Sequence, residues 1–389
     1  MASKIATDIL QTGAAGAGST ALWRQSPVFI GTTKFDKSEN SDRILVTGGA
    51  GFIASWVVRH LVLQYPHYYI ICFDKLDYCA SKNNLGSVKG KSNYYFVEGD
   101  ITNANQVSAV LKEHRIDTIL HLAALSHVDR SFGGDSYEFT EVNAYGTHVL
   151  LESCKAYGSI RRFIHVSTDE VYGEVHDSDD DLLESAILAP TNPYSASKAA
   201  ADMLVNAYYK SFKLPVLIVR CNNVYGAHQF PEKIIPKFIC LLQSNRKCLV
   251  HGDGSNTRRY LYAGDAVDAL DTILHKGTVG QIYNIGTTDE ISNLDLCQQL
   301  IKAFGYKESQ YIDHIEHTDD RPFNDRRYAI DATRLKSLGW SQRTNFSDGM
   351  AITIEWYRKF GLSWWGNLSG ILTAFPIGPL HDARSAGAC

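Results

Sequence analysis

The sequence predicts an α/β protein, a doubly wound parallel sheet with a smaller, interleaved α/β lobe, and three observations predict it. From residue 43 onward, short β-branched or aromatic runs alternate with longer helical patterns. Several of these runs are apolar throughout, as at Ile44-Leu45-Val46 and Val216-Leu217-Ile218-Val219, which is the pattern of strands covered by helices on both faces. The first run passes at once into a glycine-rich turn that opens a helix.

The elements follow in order. Residues 1–42 are rich in Ala, Gly, Ser and Thr and lack an apolar secretory core. They read as a disordered extension in which Lys4 and Arg24 give a faint organellar-transit character. Strands are expected at 43–47, 68–74, 94–100, 117–123, 162–168 and 215–221. Between them Asn103 or Asn105 caps a helix reaching 114, Ser136 opens a long one through 157, and a third spans 194–212. After residue 221 the elements shorten to a helix near 233–244, strands at 248–251 and 281–286, and helices near 294–304 and 346–360. The acidic run with Asp177, Asp179, Asp180, Asp181 and Glu184 reads as a solvated loop without chemistry.

Composition sets the class. The chain has 389 residues, 44% hydrophobic and 21% charged, enough for a large core. With 38 basic and 42 acidic residues, the net charge of −4 supplies no general field for a nucleic acid or an anionic membrane. Eight cysteines lie apart without a C-x-x-C pair, so reduced thiols in the cytoplasm are expected and no metal site is. No apolar run approaches the roughly 20 residues of a membrane span; the stretch 368–380 is broken by Gly370, Pro376, Gly378 and Pro379.

The turn after the first strand, Thr47-Gly48-Gly49-Ala50-Gly51-Phe52-Ile53-Ala54, satisfies G-x-G-x-x-G/A through Gly49, Gly51 and Ala54. Glycines let the backbone approach a pyrophosphate, whose charge the free N–H groups and dipole of the new helix stabilise. Asp74 ends the second strand 20 positions beyond Ala54, where a carboxylate accepts from ribose hydroxyls and repels a 2′-phosphate. This favours NAD over NADP, with Lys75 a mild counter-signal. At the next strand ends, Asp100-Ile101 and Leu122-Ala123-Ala124 offer a carboxylate and small residues beside which an adenine and a pyrophosphate can lie. Glycines alone would fit any tight turn; strand, spacing and acid together argue for a Rossmann-type dinucleotide site.

Two further constellations carry chemistry. Tyr194 and Lys198 lie four apart at the start of a helix and share one face. A nearby ammonium and a nicotinamide cation would favour the phenolate, which could then take a proton from a sugar hydroxyl. Thr168-Asp169-Glu170 follows the fifth strand, at the edge of an open sheet where ligands bind. A protonated Asp169 beside an ionised Glu170 would supply the separate acid and base that loss of water requires.

With these residues the sequence resembles the extended short-chain dehydrogenase/reductases and, within them, the nucleoside-diphosphate-glucose 4,6-dehydratases. The resemblance covers about 43–360. It rests on the glycine fingerprint, Phe73-Asp74-Lys75-Leu76, Ser126-His127-Val128-Asp129-Arg130-Ser131, Thr168-Asp169-Glu170-Val171-Tyr172-Gly173, Tyr194 with Lys198, Gln229-Phe230-Pro231-Glu232-Lys233 and Asp320-Arg321-Pro322. The Thr-Asp-Glu segment is the specific part, since related epimerases and decarboxylases keep the Tyr-Lys pair without it.

The resemblance implies an NAD-dependent hydro-lyase that turns dTDP- or UDP-glucose into the 4-keto-6-deoxy sugar. Tyr194, helped by Lys198 and Thr168, takes the 4-hydroxyl proton; Glu170 takes the proton on carbon 5; Asp169 protonates the departing 6-hydroxyl. Asn223, Glu232, Lys233, Arg258, Asn293 and Arg321 occupy the family's sugar-nucleotide positions, with His127 and Tyr225 weaker candidates. The implied organisation is an NAD domain of 43–222 plus about 247–290, a sugar-nucleotide lobe of 223–246 plus about 291–360, and a tail of 361–389 that follows no family pattern. A homodimer through the helices 136–157 and 194–212, packed as a four-helix bundle, is also implied. Val224, Asn324 and Thr257-Arg258-Arg259-Tyr260 depart from the usual pattern and leave the base preference open. An epimerase or decarboxylase of the same family, or a catalytically silent NAD or sugar-nucleotide binder, are the alternatives.

Overall fold

The computed structural model describes residues 22–38, 41–134 and 136–375. Its strands are β1 (Arg43–Thr47), β2 (Tyr69–Asp74), β3 (Tyr94–Glu98), β4 (Thr118–His121), β5 (Arg162–Thr168), β6 (Val216–Cys221), β7 (Asn223–Tyr225), β8 (Cys248–His251), β9 (Thr257–Tyr262), β10 (Ile282–Ile285), β11 (Glu290–Ser292) and β12 (Ile315–Thr318). Seven of them form the main sheet in the order β10-β6-β5-β4-β1-β2-β3, and every pair in it is parallel. The strand order reverses between β1 and β4, so the crevice beyond their C-terminal ends is where such a sheet takes a ligand.

The principal helices are α1 (Phe52–Gln64), α2 (Ala104–Glu113), α3 (Gly146–Tyr157), α4 (Pro193–Phe212), α5 (Ile234–Gln243), α6 (Ala263–Lys276), α7 (Asn293–Ala303) and α8 (Phe346–Trp356). Alternate strand residues enter different cores. Ile44, Val46, Ile70 and Cys72 pack on the side of α1 and α6, while Leu45, Ile71 and Phe73 pack on the side of α2, α3 and α4. This is why the strand sequences are apolar at every position. The long helix expected from 136 is present from Tyr137, with a π-helical segment at Thr140–Tyr145 before α3.

Three expectations are corrected. The extension 1–42 is not disordered where it is described: Phe29 is buried and stacks on Trp56 at 5.2 Å, and Thr32 and Thr33 donate to Asp268 and Asp271 of α6. Residues 1–21 lie outside the described residues. The tail, for which the sequence offered no pattern, is described through residue 375, with Trp364, Leu368, Ile371 and Leu372 buried. The strand 248–251, assigned by sequence to the dinucleotide domain, leaves the main sheet and pairs with β12, while β9 pairs with β7 and β11. The acidic run is not simply solvated: Asp181 holds Arg259 through two hydrogen bonds of 2.5 and 2.8 Å, and Asp177 pairs with Arg326 at 2.8 Å.

Helix α6 was not anticipated at all. It is buried from Ala263 to Leu274, and its acids Asp265, Asp268 and Asp271 are buried too. Asp268 accepts from the 32–33 backbone, Asp265 from the 343–344 backbone, and Asp271 from the Thr33 and Tyr65 hydroxyls, so the polar stripe that would mark a surface helix faces protein.

Candidate active site

One cavity of about 410 Å³ runs across the C-terminal edge of the sheet and down into the smaller lobe. The turn from β1 to α1 forms part of its floor. Gly48 has φ +68°, and a Cβ there would lie 2.8 Å from the Ala123 backbone; at Gly49 it would lie 2.4 Å from Cys72 Sγ. Only glycine lets the turn lie this flat against β2 and β4. Gly51 caps α1 with no side-chain hydrogen bond, which leaves first-turn N–H groups without a side-chain acceptor.

Asp74 is buried at the end of β2. Its Oδ2 accepts from Ala50 N at 2.9 Å and its Oδ1 from Leu76 N at 2.7 Å, so the carboxylate is oriented, with lone pairs left over. Burial nevertheless raises its pKa. Lys75 turns away to Asp77 at 3.2 Å and Asp100 at 3.9 Å. Phe52, Ile53, Asp100, Ile101, Leu122, Ala123 and Ala124 also line the cavity; Gly49 does not. The glycine cradle, the uncapped helix end and an anchored ribose-reading acid fit a dinucleotide.

At the centre, β5 ends in Thr168, and a 3₁₀ turn carries Asp169 and Glu170. Opposite, Asn192 caps α4: its side chain accepts from Ser195 N at 2.9 Å while Ser195 Oγ accepts from Asn192 N at 3.2 Å, with Pro193 in the first turn. This capping box places Tyr194 and Lys198 on the cavity wall beside Thr168 and Glu170. Burial, and next the charge of Glu170, lift Asp169 to about 7. Burial also raises Glu170, opposed by Arg258, Lys233 and Arg321.

Three details differ from expectation. Lys198 Nζ donates to Val166 O at 2.8 Å, and burial lowers its pKa to about 8 against the pull of Asp202. Tyr194 is raised, not lowered, by burial and by Glu170, with the Thr168 hydrogen bond opposing; the protein groups alone therefore favour the neutral phenol. Asp169 does not line the cavity. It sits one side chain back, with Oδ2 accepting from Asn222 Nδ2 at 2.6 Å and Oδ1 3.2 Å from Thr168 Oγ1. With Oδ2 occupied by the amide, a proton on this carboxyl belongs on Oδ1, beside Thr168.

Asn223, Glu232, Lys233, Arg258, Asn293 and Arg321 all line the lobe end of the same cavity. Each charged member already has a protein partner. Tyr78 donates to Glu232 at 2.6 Å, Lys233 donates to Ser126 O, and Arg321 pairs with Asp129. Arg258 donates to Asp325 O at 2.9 Å and Asn324 Oδ1 at 3.1 Å and lies over the Tyr328 ring. Asn324, a departure from the expected pattern, thus serves to hold an arginine. His127 and Tyr225 line the cavity as well; burial keeps His127 neutral, and Tyr225 donates to Phe346 O at 3.1 Å.

The family model described as GDP-mannose 4,6 dehydratase matches residues 45–353. The chain belongs to that family. Among relatives of this GDP-mannose 4,6 dehydratase family member, a trifunctional UDP-glucose 4,6-dehydratase/UDP-4-keto-6-deoxy-D-glucose 3,5-epimerase/UDP-4-keto-L-rhamnose-reductase of Arabidopsis thaliana is 53% identical over 334 residues, covering 86% of this chain and 50% of the relative. The chain thus spans about half the length of that plant protein. The dTDP-D-glucose 4,6-dehydratase of Bos taurus is 49% identical over 339 residues, 87% of this chain and 94% of the relative. A crystal structure of dTDP-glucose 4,6-dehydratase from Bacillus anthracis in complex with NAD superposes with a TM-score of 0.76 at 40% identity, covering 83% of this chain and 99% of that one.

In this member of the family two site residues escaped the sequence reading. Asn222 lies just beyond β6, buried, with its Oδ1 accepting from Thr287 N at 3.0 Å while its amide holds Asp169. Its position at a strand end was the only signal, and neighbouring Asn223 drew the attention. Lys237 lies one turn after Lys233 on α5, and that i, i+4 spacing could have found it. It is buried on the cavity wall, where burial lowers its pKa to about 8.

Proposed function

We propose that the protein is an NAD-dependent hydro-lyase that converts dTDP- or UDP-glucose to the 4-keto-6-deoxy sugar nucleotide and water. The observation that carries this reading is the convergence of Tyr194, Lys198 and Glu170 on one cavity wall, with a second carboxyl of different surroundings, Asp169, one side chain behind it. Asp169 is lifted to about 7 and held by an amide, while Glu170 is faced by three cations. Bound along the glycine floor, oxidised NAD would supply a reversible two-electron acceptor and a positive ring that favours the Tyr194 phenolate.

The chain's own groups do the rest. Tyr194 Oη takes the proton of the 4-hydroxyl while Thr168 Oγ1 orients that oxygen. Lys198, pinned to Val166 O, keeps a cation behind the site. Once carbon 4 is a ketone, the hydrogen on carbon 5 is acidic enough for the Glu170 carboxylate to remove. Asp169, from behind the cavity wall, supplies the proton with which the 6-hydroxyl leaves as water. Both electrons withdrawn at carbon 4 return to carbon 6 and a proton returns to carbon 5, so oxidation and reduction cancel.

Lys233, Lys237, Arg258 and Arg321 outnumber Asp129, Glu232 and Asp325 in the lobe end, and this positive excess suits a diphosphate. In this reading the cofactor rests on the main-sheet units, and the sugar nucleotide on the β7–β9, β11–β12, α5 and α7 lobe. A homodimer through α3 and α4 accords with the exposure of Tyr145 just before α3 and of Met203 and Phe212 on α4, and residence in the cytoplasm accords with the free thiols of the seven described cysteines. Among the described residues no helix is long and apolar enough to cross a membrane. The deciding experiment is the identity of the product formed from each nucleotide glucose.

A further inference from the structure

The segment from Leu368 to Phe375, part of the tail without a recognisable pattern, is built onto the back of the cavity's lobe end. Leu368, Ile371 and Leu372 are buried. The next three carbonyls each accept from a different basic side chain. Leu372 O accepts from Arg246 at 2.7 Å, Thr373 O from Lys237 Nζ at 3.0 Å, and Ala374 O from His251 Nε2 at 2.8 Å. The Phe375 ring stacks on His251 with centroids 4.8 Å apart. Lys237 and His251 both line the cavity. The tail therefore grips two groups that also line the cavity.

We propose that this segment is a positioning element for the substrate's nucleoside diphosphate, acting by holding Lys237 and His251 in place behind the cavity. The inference rests on the functional reading above.

A buried ammonium needs acceptors, and Lys237 has two anionic candidates nearby, Asp129 and Glu232, both of which attract it. Collapse onto either would cancel the cation. The Thr373 carbonyl satisfies one N–H without supplying a counter-charge, so the positive charge stays available for a phosphate. His251 is fixed in the same way. A carbonyl can only accept, so Nε2 carries the proton, and the stacked Phe375 holds the ring plane while Nδ1 remains an acceptor. Arg246 is exposed and serves as a tether outside the cavity.

The test is binding of UDP and of dTDP to the full chain, measured by calorimetry with NAD present. It is compared with a deletion of residues 373–375, with Phe375→Ala, with Lys237→Met, and with the deletion combined with Lys237→Met. The deletion should weaken diphosphate binding by about tenfold, the size of one charge-assisted contact, with NAD content and melting temperature little changed. Phe375→Ala removes a partly exposed ring and keeps every carbonyl; it should weaken binding by about threefold and serves if the deletion does not fold. In the Lys237→Met background the deletion should add only about threefold, the part carried by His251, because the part carried by Lys237 is already lost. Unchanged binding in the folded deletion or in Phe375→Ala would overturn the proposal, as would a deletion effect that multiplies undiminished with Lys237→Met. Failure of the full chain to bind either diphosphate would instead overturn the functional reading.

Discussion

Asn222→Leu replaces an amide by an apolar group of the same shape and should move the pH dependence of water loss upward. Asn222 donates to Asp169 Oδ2 at 2.6 Å, and a donor holds a carboxylate about twice as strongly as it holds a neutral acid. For a bond to a charged group, net about 1.5–3 kcal/mol, the difference between the two forms is half of that, about 1 kcal/mol, or a little under one pH unit. The sign follows from which form acts. Asp169 must be protonated to release the 6-hydroxyl, so its contribution is complete at low pH and is lost as pH rises through about 7. Without the amide the acid holds its proton longer, and the fall comes a little under one pH unit later. The groups that face it, Glu170 and Thr168 on its own turn, Arg258 on β9, Tyr194 on α4 and Cys221 on β6, remain. The change also orphans Thr287 N–H, at a cost of roughly 1–3 kcal/mol of stability. The assay starts from the nucleoside-diphosphate 4-ketoglucose, so that the Tyr194 step is already past, and follows loss of water by mass spectrometry from about pH 5 to pH 9. An alkaline limb that stays in place, or moves down, in a variant shown to be folded would refute the reasoning.

Further outcomes are expected. Tyr194→Phe should lower turnover by about a hundredfold or more while nucleotide-sugar binding stays nearly unchanged, since only the ionisable oxygen is lost; near-normal turnover would remove Tyr194 as the base. Glu170→Gln should leave oxidation at carbon 4 intact but stop the reaction there, so that 4-ketoglucose nucleotide accumulates and exchange of the carbon 5 hydrogen with solvent deuterium slows. Equal loss of both steps would argue against that role. Light scattering at micromolar concentration should find a dimer, and Met203→Glu, a charge at an exposed apolar position on α4, should shift it towards monomer; a monomeric wild-type chain would reject the helix-bundle interface.

What could be read from the sequence was what local spacing encodes. The fingerprint from Gly48 to Ala54, Asp74 at the end of β2, and the pair Tyr194 and Lys198 at one helical turn are short-range patterns, and the cavity gathers them. Other features depend on partners far along the chain. Helix α6 buries Asp268 against the 32–33 backbone, so no solvent-facing polar stripe marks the helix in the sequence. The strand 248–251 has ordinary strand character, but only its partner β12 shows which sheet it joins. Nothing near residue 222 announces that its amide will meet Asp169 across two strand ends. Lys198 could be placed beside Tyr194 by spacing, yet its ammonium is held by Val166 O, a carbonyl of a strand that spacing does not see.

The account stands or falls on the product. Purified protein, given NAD and either dTDP-glucose or UDP-glucose, should release a sugar nucleotide lighter than its substrate by one water, with a methyl group at carbon 6 and a ketone at carbon 4 visible by NMR. A product of unchanged mass, epimerised at carbon 4 and still bearing its 6-hydroxyl, would show that Asp169 and Glu170 do not act as an elimination pair and would contradict the account.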